Sequence, residues 1–226
     1  HLVIGSGVSI AELLDDPLIA EHGSVLKDAA ATFANPLVRN RATVGGNLAD
    51  ASPAADTAPP LLVLGAEVEL VCKEGSRCVP LEEFIVGVRD TVRRPEELLA
   101  AVRWPVPLPH SAGAFRKLGL RKADAITVVS AAVMVEGDNQ GRCRLARIAL
   151  GAVASRPIRV HSAEELLRGQ VATPKVIAEA ARLAADVTCP IDDIRGSADY
   201  RRQVVKVLVS RLLTKVGERV CRAGGR

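Results

Sequence analysis

The chain has 226 residues, 48% hydrophobic and 25% charged, enough to bury one sizeable core or two smaller ones in a globular protein. A net charge of +4 and a pI near 9.0 raise the question of nucleic acid, but Lys and Arg are spread along the chain and aromatics are only 2%, so the stacking platform of single-strand binders is missing. No apolar run reaches the roughly 18 to 20 residues of a membrane span and no secretory pattern opens the chain, which leaves no membrane, no nucleic-acid partner and a cytoplasmic location as the expectation.

In chain order, residues 2 to 5 read as a short strand, and Ser9 with Glu12 forms a capping box that opens a helix to about residue 15. Val25, Leu26, Ala29, Ala30 and Phe33 at helical spacing predict a second helix, stopped by Asn35-Pro36. Residues 39 to 60 hold two adjacent glycines, prolines and many small side chains, and so cannot be a regular helix or strand throughout. A helix end at 61 to 64 leads to a strand around Val68 and Leu70, a turn at Lys73 to Ser76 and a returning strand, a hairpin. Residues 81 to 86 read as a short helix, and Leu98, Ala100, Val102 and Trp104 alternate as another strand.

Pro105, Pro107 and Pro109 mark a linker and set the domain boundary, 1 to 108 and 109 to 226. Beyond it, strands near 113 to 119, 126 to 136 and 142 to 153 are joined by tight turns and predict a three-stranded antiparallel sheet. Ser162 with Glu165, Thr173 before Pro174, and Ser197 each open a helix. On the last, running to about residue 216, Val204, Val205, Leu208, Leu212 and Val216 form an apolar stripe, and Arg201, Arg202, Lys206, Arg211, Lys215, Arg219 and Arg222 read as a solvated face or a docking surface for an acidic partner. The second domain is therefore α+β, a sheet with helices on one side.

Five cysteines, odd in number and without a C-x-x-C pair, fit reduced thiols better than a disulfide framework or a metal site, and the four histidines lack metal-binding spacing. The chemistry concentrates at Gly45-Gly46, where missing Cβ atoms permit positive torsions and close approach of a ligand to main-chain N–H groups, or simply a tight turn. Thr43 and Asn47 add polar groups beside it, and Asp56 supplies an acceptor.

The string from Thr43 to Asp56, followed by Pro59, closely resembles the second flavin motif, T-x-G-G-N then A-S-P then Asp and Pro, of the FAD subunits of molybdenum hydroxylases, the xanthine dehydrogenase and carbon monoxide dehydrogenase family. The resemblance extends from Asn35-Pro36 through Pro95-Glu96-Glu97-Leu98-Leu99 and Phe115-Arg116-Lys117 to Asp193-Ile194-Arg195-Gly196-Ser197, essentially the full chain. It implies the second half of a PCMH-type FAD-binding domain followed by a carbon monoxide dehydrogenase flavoprotein C-terminal-like domain. By the same resemblance FAD contacts fall on Thr43, Val44, Gly45, Gly46 and Asn47, with Asp56 as a polar anchor, Phe33 against the nucleotide, and Leu99 and Lys117 beside the isoalloxazine. Read without the resemblance, Phe33 and Leu99 are core residues and Lys117 a surface charge.

The family opens with a V-G-G-G-T type strand and loop that grips the FAD pyrophosphate, and nothing before His1 supplies it, so the resemblance implies an N-terminally truncated chain. Gly5-Ser6-Gly7 does not replace it, because Ile10 stands where a dinucleotide fingerprint needs its third glycine. The implied role is an electron relay between [2Fe–2S] clusters on a small subunit and an external acceptor such as NAD, a quinone or oxygen, with molybdopterin on a large partner subunit and no catalytic or metal-binding residue on this chain. The alternatives are a non-enzymatic scaffold that no longer binds FAD, and a basic nucleic-acid module.

Overall fold

The computed structural model describes residues 1 to 138 and 140 to 224, with side chains as far as Cys221. Strand β1 (Leu2–Gly5) is followed by six short helices, α1 (Glu12–Asp15), α2 (Pro17–His22), α3 (Ser24–Thr32), α4 (Pro36–Arg39), α5 (Val44–Ala49) and α6 (Ala58–Leu64). Next come β2 (Glu67–Cys72), β3 (Gly75–Pro80), α7 (Leu81–Phe84), β4 (Ile85–Gly87), β5 (Asp90–Thr91) and β6 (Leu98–Trp104). The remainder is β7 (Ser111–Gly119), β8 (Thr127–Gly137), β9 (Cys143–Gly151), β10 (Ile158–Arg159), α8 (His161–Leu167), α9 (Pro174–Asp186) and α10 (Ala198–Gly224).

The first sheet has the order β1-β6-β2-β3, antiparallel throughout. Cys72 pairs with Gly75, so the hairpin turns on Lys73 and Glu74, and Gly75 takes a φ of 144° that a side chain would resist. Val68 and Leu70 are fully buried while Glu67 and Glu69 are half-buried, the alternation read from the sequence. Trp104 ends β6 with no exposed surface, and its indole N–H donates to the His22 carbonyl at 3.1 Å, which fastens this sheet to α2.

The second sheet has the order β10-β9-β8-β7. Three long strands are as expected, and the two-residue β10 on the far edge is an addition. The helices of this half, α8, α9 and α10, cover one face as expected, and the N-terminal helices cover the other. Along β8, Ala131, Val133 and Val135 pack with Ile148, α9 and α10, whereas Ala132 and Met134, with Phe115 and Ala149, join the core built by the N-terminal helices. Every residue of β8 is buried. Both faces being covered explains why β8 reads as a nearly unbroken apolar run, a pattern more usual in parallel sheets.

Several caps form as read. Ser9 N–H donates to Glu12 Oε2 at 2.7 Å and Glu12 N–H to Ser9 Oγ at 3.2 Å, a reciprocal box, and Thr173 accepts from Val176 N–H. Ser162 and Glu165 do not cap α8, which starts at His161 without a side-chain cap. Glu164 is instead the acidic residue that matters there, buried and accepting the Ile148 N–H at 2.8 Å and the Arg159 guanidinium. On α10 the apolar stripe packs against β8 and α9, and the helix continues past residue 216 to Gly224. Arg201 is not part of its solvated face. It is 1% exposed and donates to the carbonyls of Val128 at 2.7 Å and Ala152 at 3.1 Å and to Asp193 at 2.6 Å. The Arg222 side chain lies outside the described residues.

Candidate functional site

Helix α5 carries the glycine pair in its first turn, so neither glycine adopts a positive φ. This corrects the expectation of a torsionally unusual loop with main-chain donors facing a ligand. Val44 N–H donates to Val8 O, Gly45 N–H to Ser6 O, Gly46 N–H to Thr43 Oγ1 and Asn47 N–H to Thr43 O, at 2.9 to 3.0 Å. The four donors are thus consumed in fastening α5 to the strand end at Ser6 to Val8 and in capping it. The glycines differ in role. A Cβ on Gly45 would lie 2.4 Å from Ser6 Cβ, whereas one on Gly46 would meet only Thr43 Oγ1, at 2.9 Å, on an exposed surface. Gly46 therefore leaves an open face against which a ligand can lie.

Asn47 accepts from Thr57 N–H at 3.2 Å and from Thr57 Oγ1 at 2.7 Å through Oδ1, which fixes the orientation of its amide. With Phe33, Asp56 and Thr127 it walls an open cavity of about 290 Å³. A larger cleft of about 690 Å³, walled by Phe115, Lys117 and the start of the 120 to 126 loop, adjoins it at Asp124 and Ala125. Asp124 N–H donates to Ala34 O at 3.1 Å, which ties that loop to the end of α3. Ala34 (φ 35°) and Asp124 (φ 51°) both hold left-handed backbone, so two costly conformations meet at this seam.

Asp56 and Lys117, distant in sequence, form a buried ion pair. Lys117 Nζ donates to Asp56 Oδ2 at 2.5 Å, with the two side chains 7% and 9% exposed. Thr127 Oγ1 donates to the other oxygen, Oδ1, also at 2.5 Å. Burial pushes the Asp56 carboxyl above the usual carboxylate range, opposed by the Lys117 charge and by the hydrogen bonds from Lys117 and Thr127. The reading of Lys117 as a surface charge is thereby excluded.

Phe33 is half-buried, packs on the first core and also walls the cavity, so the core and ligand-facing readings coexist. Val44 is wholly core. On β6, Leu99 pairs with Leu70 of β2, is half-buried against the same core, and walls neither cavity. Its neighbour Ala100 accepts the Ser6 N–H at 2.9 Å, and Ser6 accepts from Gly45, so β6 and α5 are linked through one residue. Sequence reasoning missed Ser6 and Thr127. Thr127 carries no motif, Ser6 stands only in the Gly5-Ser6-Gly7 string that lacks a third glycine, and the contacts of both are made by segments distant in sequence.

The residues suit a flavin nucleotide by an open face at Gly46, the Asn47 amide at the smaller cavity and a paired cation in the wall of the adjoining cleft. Residues 1 to 107 match the family described as the FAD binding domain in molybdopterin dehydrogenase, and residues 114 to 216 match the CO dehydrogenase flavoprotein C-terminal domain. The chain is 37% identical over 215 residues to the 6-hydroxypseudooxynicotine dehydrogenase complex subunit alpha of Paenarthrobacter nicotinovorans, covering 95% of this chain and 72% of that protein. It is 31% identical over 218 residues to the carbon monoxide dehydrogenase medium chain of Afipia carboxidovorans, covering 96% and 75%. A solved structure of reconstituted CO dehydrogenase from Oligotropha carboxidovorans superposes with a TM-score of 0.92 at 31% identity, again over 96% of this chain and 75% of that one. Two adjoining family matches across nearly the whole chain, and relatives above 30% identity, place it: the protein belongs to the FAD-binding subunits of the molybdopterin dehydrogenases.

Proposed function

We propose that this chain seats FAD against the open face of α5 and the cavity between Phe33, Asn47 and Asp56, as the relay that takes electrons from [2Fe–2S] clusters to an external acceptor such as NAD, a quinone or oxygen. The observation that carries the reading is the Lys117–Asp56 pair, a buried ion pair whose carboxylate walls this cavity and whose ammonium walls the adjoining cleft. FAD, when bound, supplies the redox chemistry. Thr43, Val44 and Gly45 shape the surface, Gly46 leaves it uncovered, and the Asn47 amide donates to the ligand. The Lys117 ammonium sets a positive potential where negative charge collects on the ligand, and stabilises that charge without reorganisation. Leu99 serves at the β6 side of the site, linked to α5 through Ser6.

The partners in this reading are a large molybdopterin-binding subunit and a small [2Fe–2S] subunit in the cytoplasm, with the chain divided at residues 108 and 109. Exposed apolar side chains support a subunit contact near the cavity, where Ile126, Ile191 and Ile194 are 68%, 67% and 100% exposed. Among the described residues no helix is long and apolar enough to cross a membrane. The bonded N–H groups of α5 favour a second reading, a scaffold subunit without flavin. Titrating the full chain with FAD and following the visible spectrum and flavin fluorescence separates the two. Saturable binding is expected, with Lys117→Ala altering the flavin's reduction potential more than its occupancy, and an absence of saturable binding would leave only the scaffold.

A further inference from the structure

We propose that Thr127 is a positioning residue of the flavin site, acting through Asp56 on Lys117. The inference rests on the functional reading above and extends it to a residue outside the glycine motif. A carboxylate offers two oxygens, and in Asp56 each has one side-chain donor: Thr127 Oγ1 on Oδ1 and Lys117 Nζ on Oδ2, both at 2.5 Å. With Oδ1 held by Thr127, the carboxylate plane is fixed and Oδ2 presents one direction to the ammonium. Lys117 has a weaker second acceptor, the Ala125 carbonyl at 3.4 Å, so the direction of its charge is set mainly by Asp56.

The placement of Thr127 depends on an irregularity of β8. Through most of the hairpin the pairing is regular, Lys117 opposite Ser130 and Leu118 opposite Val129, but Gly119 pairs with Thr127 rather than Val128. Val128 is the extra residue of a bulge. Strict alternation would send Thr127 to the same face as Val129, Ala131 and Val133, under α10. Because Val128 and Val129 both lie in that core, the parity reverses below the bulge, and Thr127 emerges on the opposite face, where it meets Asp56 and, through it, Lys117. Arg201 holds the bulge by donating to the Val128 carbonyl at 2.7 Å. The bulge thus re-aims one hydroxyl, 1% exposed, onto the ion pair.

The test compares Thr127→Val, which keeps the shape and removes the donor, with Thr127→Ser, which keeps the donor, and uses Thr127→Ala should the valine variant not fold. In the full chain without flavin, carboxyl carbon NMR follows the titration of Asp56, with Lys117 and the other carboxylates of the cavity, Asp50 and Asp124, common to all variants. The titration is expected to move to higher pH in Thr127→Val and to return in Thr127→Ser, because a donor to the ionised form is lost and regained. In the FAD-loaded chain the flavin midpoint potential is expected to fall in Thr127→Val and recover in Thr127→Ser, and FAD affinity to drop roughly tenfold. A serine variant that behaves like valine, or a valine variant with unmoved titration or potential, overturns the role. If the wild-type chain takes no FAD, the functional reading falls, and the Asp56 titration alone still decides whether Thr127 governs the pair.

Discussion

Gly45 and Gly46 are neighbours with opposite requirements. Gly45 must be small because Ser6 approaches its α-carbon so closely that a Cβ would overlap both the Ser6 side chain, at 2.4 Å, and the Ser6 carbonyl oxygen, at 2.9 Å. Gly45→Ala is therefore expected to destabilise the fold by about 1 to 3 kcal/mol, the usual cost of overpacking, seen as a lowered urea midpoint at unchanged m. Gly46→Val should behave differently. Its Cβ would meet only the Thr43 hydroxyl that caps α5, at 2.9 Å, so the urea midpoint is expected to fall less than in Gly45→Ala while FAD occupancy is lost. Equal loss of stability in both variants, or full flavin binding by Gly46→Val, would contradict this division. The T-x-G-G-N string is plain in the sequence, but which glycine serves packing and which leaves room is not, because the deciding atom belongs to Ser6 on a different segment.

Among the elements, β7, β8 and β9 are legible because alternating burial and short turn-rich connections coincide, and the α10 stripe is legible because it keeps helical period. The helices α2, α4 and α5 are four to six residues long, too short for periodicity to register, and their existence depends on tertiary contacts such as those holding α5 to Ser6. The bulge at Val128 is also silent in the sequence, as V-V gives no sign that two consecutive residues share a face. Its anchor, Arg201, looks like one more solvated cation of α10. Arg201→Met is expected to cost about 3 to 5 kcal/mol, since it strands the carbonyls of Val128 and Ala152 and removes a buried partner of Asp193. Arg201→Lys should recover little, because an ammonium cannot reproduce the fork that spans three acceptors. Denaturation midpoints of the two variants check this, and a lysine variant as stable as wild type would show that the fork is dispensable.

For the molecule as a whole, one sheet serves two cores. Phe115, Ala132, Met134 and Ala149 pack with the N-terminal helices, and the opposite side of the same strands packs with α9 and α10, so neither half can open without exposing the other. Each half also holds a carboxylate pinned by arginine, Glu97 in the first and Asp193 in the second. Hydrogen bonds from Arg77, reinforced by the Arg94 N–H, hold Glu97 down to about 2 against an ordinary 4.5. Hydrogen bonds from Arg195, and also Arg201, hold Asp193 down to about 2 against 3.8. Both folded values are depressed, so their stabilisation is complete above the unfolded values and is lost as pH falls from those values toward about 2. Asp56 runs in the opposite sense: its carboxyl is raised in the fold, binds a proton more tightly there, and offsets part of the loss on acidification. Because the sheet couples the halves, acid should unfold them together. Trp104 fluorescence reports the first core and far-UV circular dichroism is dominated by helices, foremost α10, so the two curves are expected to coincide in a single transition below about pH 4. Glu97→Gln and Asp193→Asn should each weaken the fold at neutral pH and flatten its acid dependence, with both probes still moving together. Separated transitions, Trp104 changing at one pH and the helical signal at another, would mean that the two faces of the sheet unfold independently.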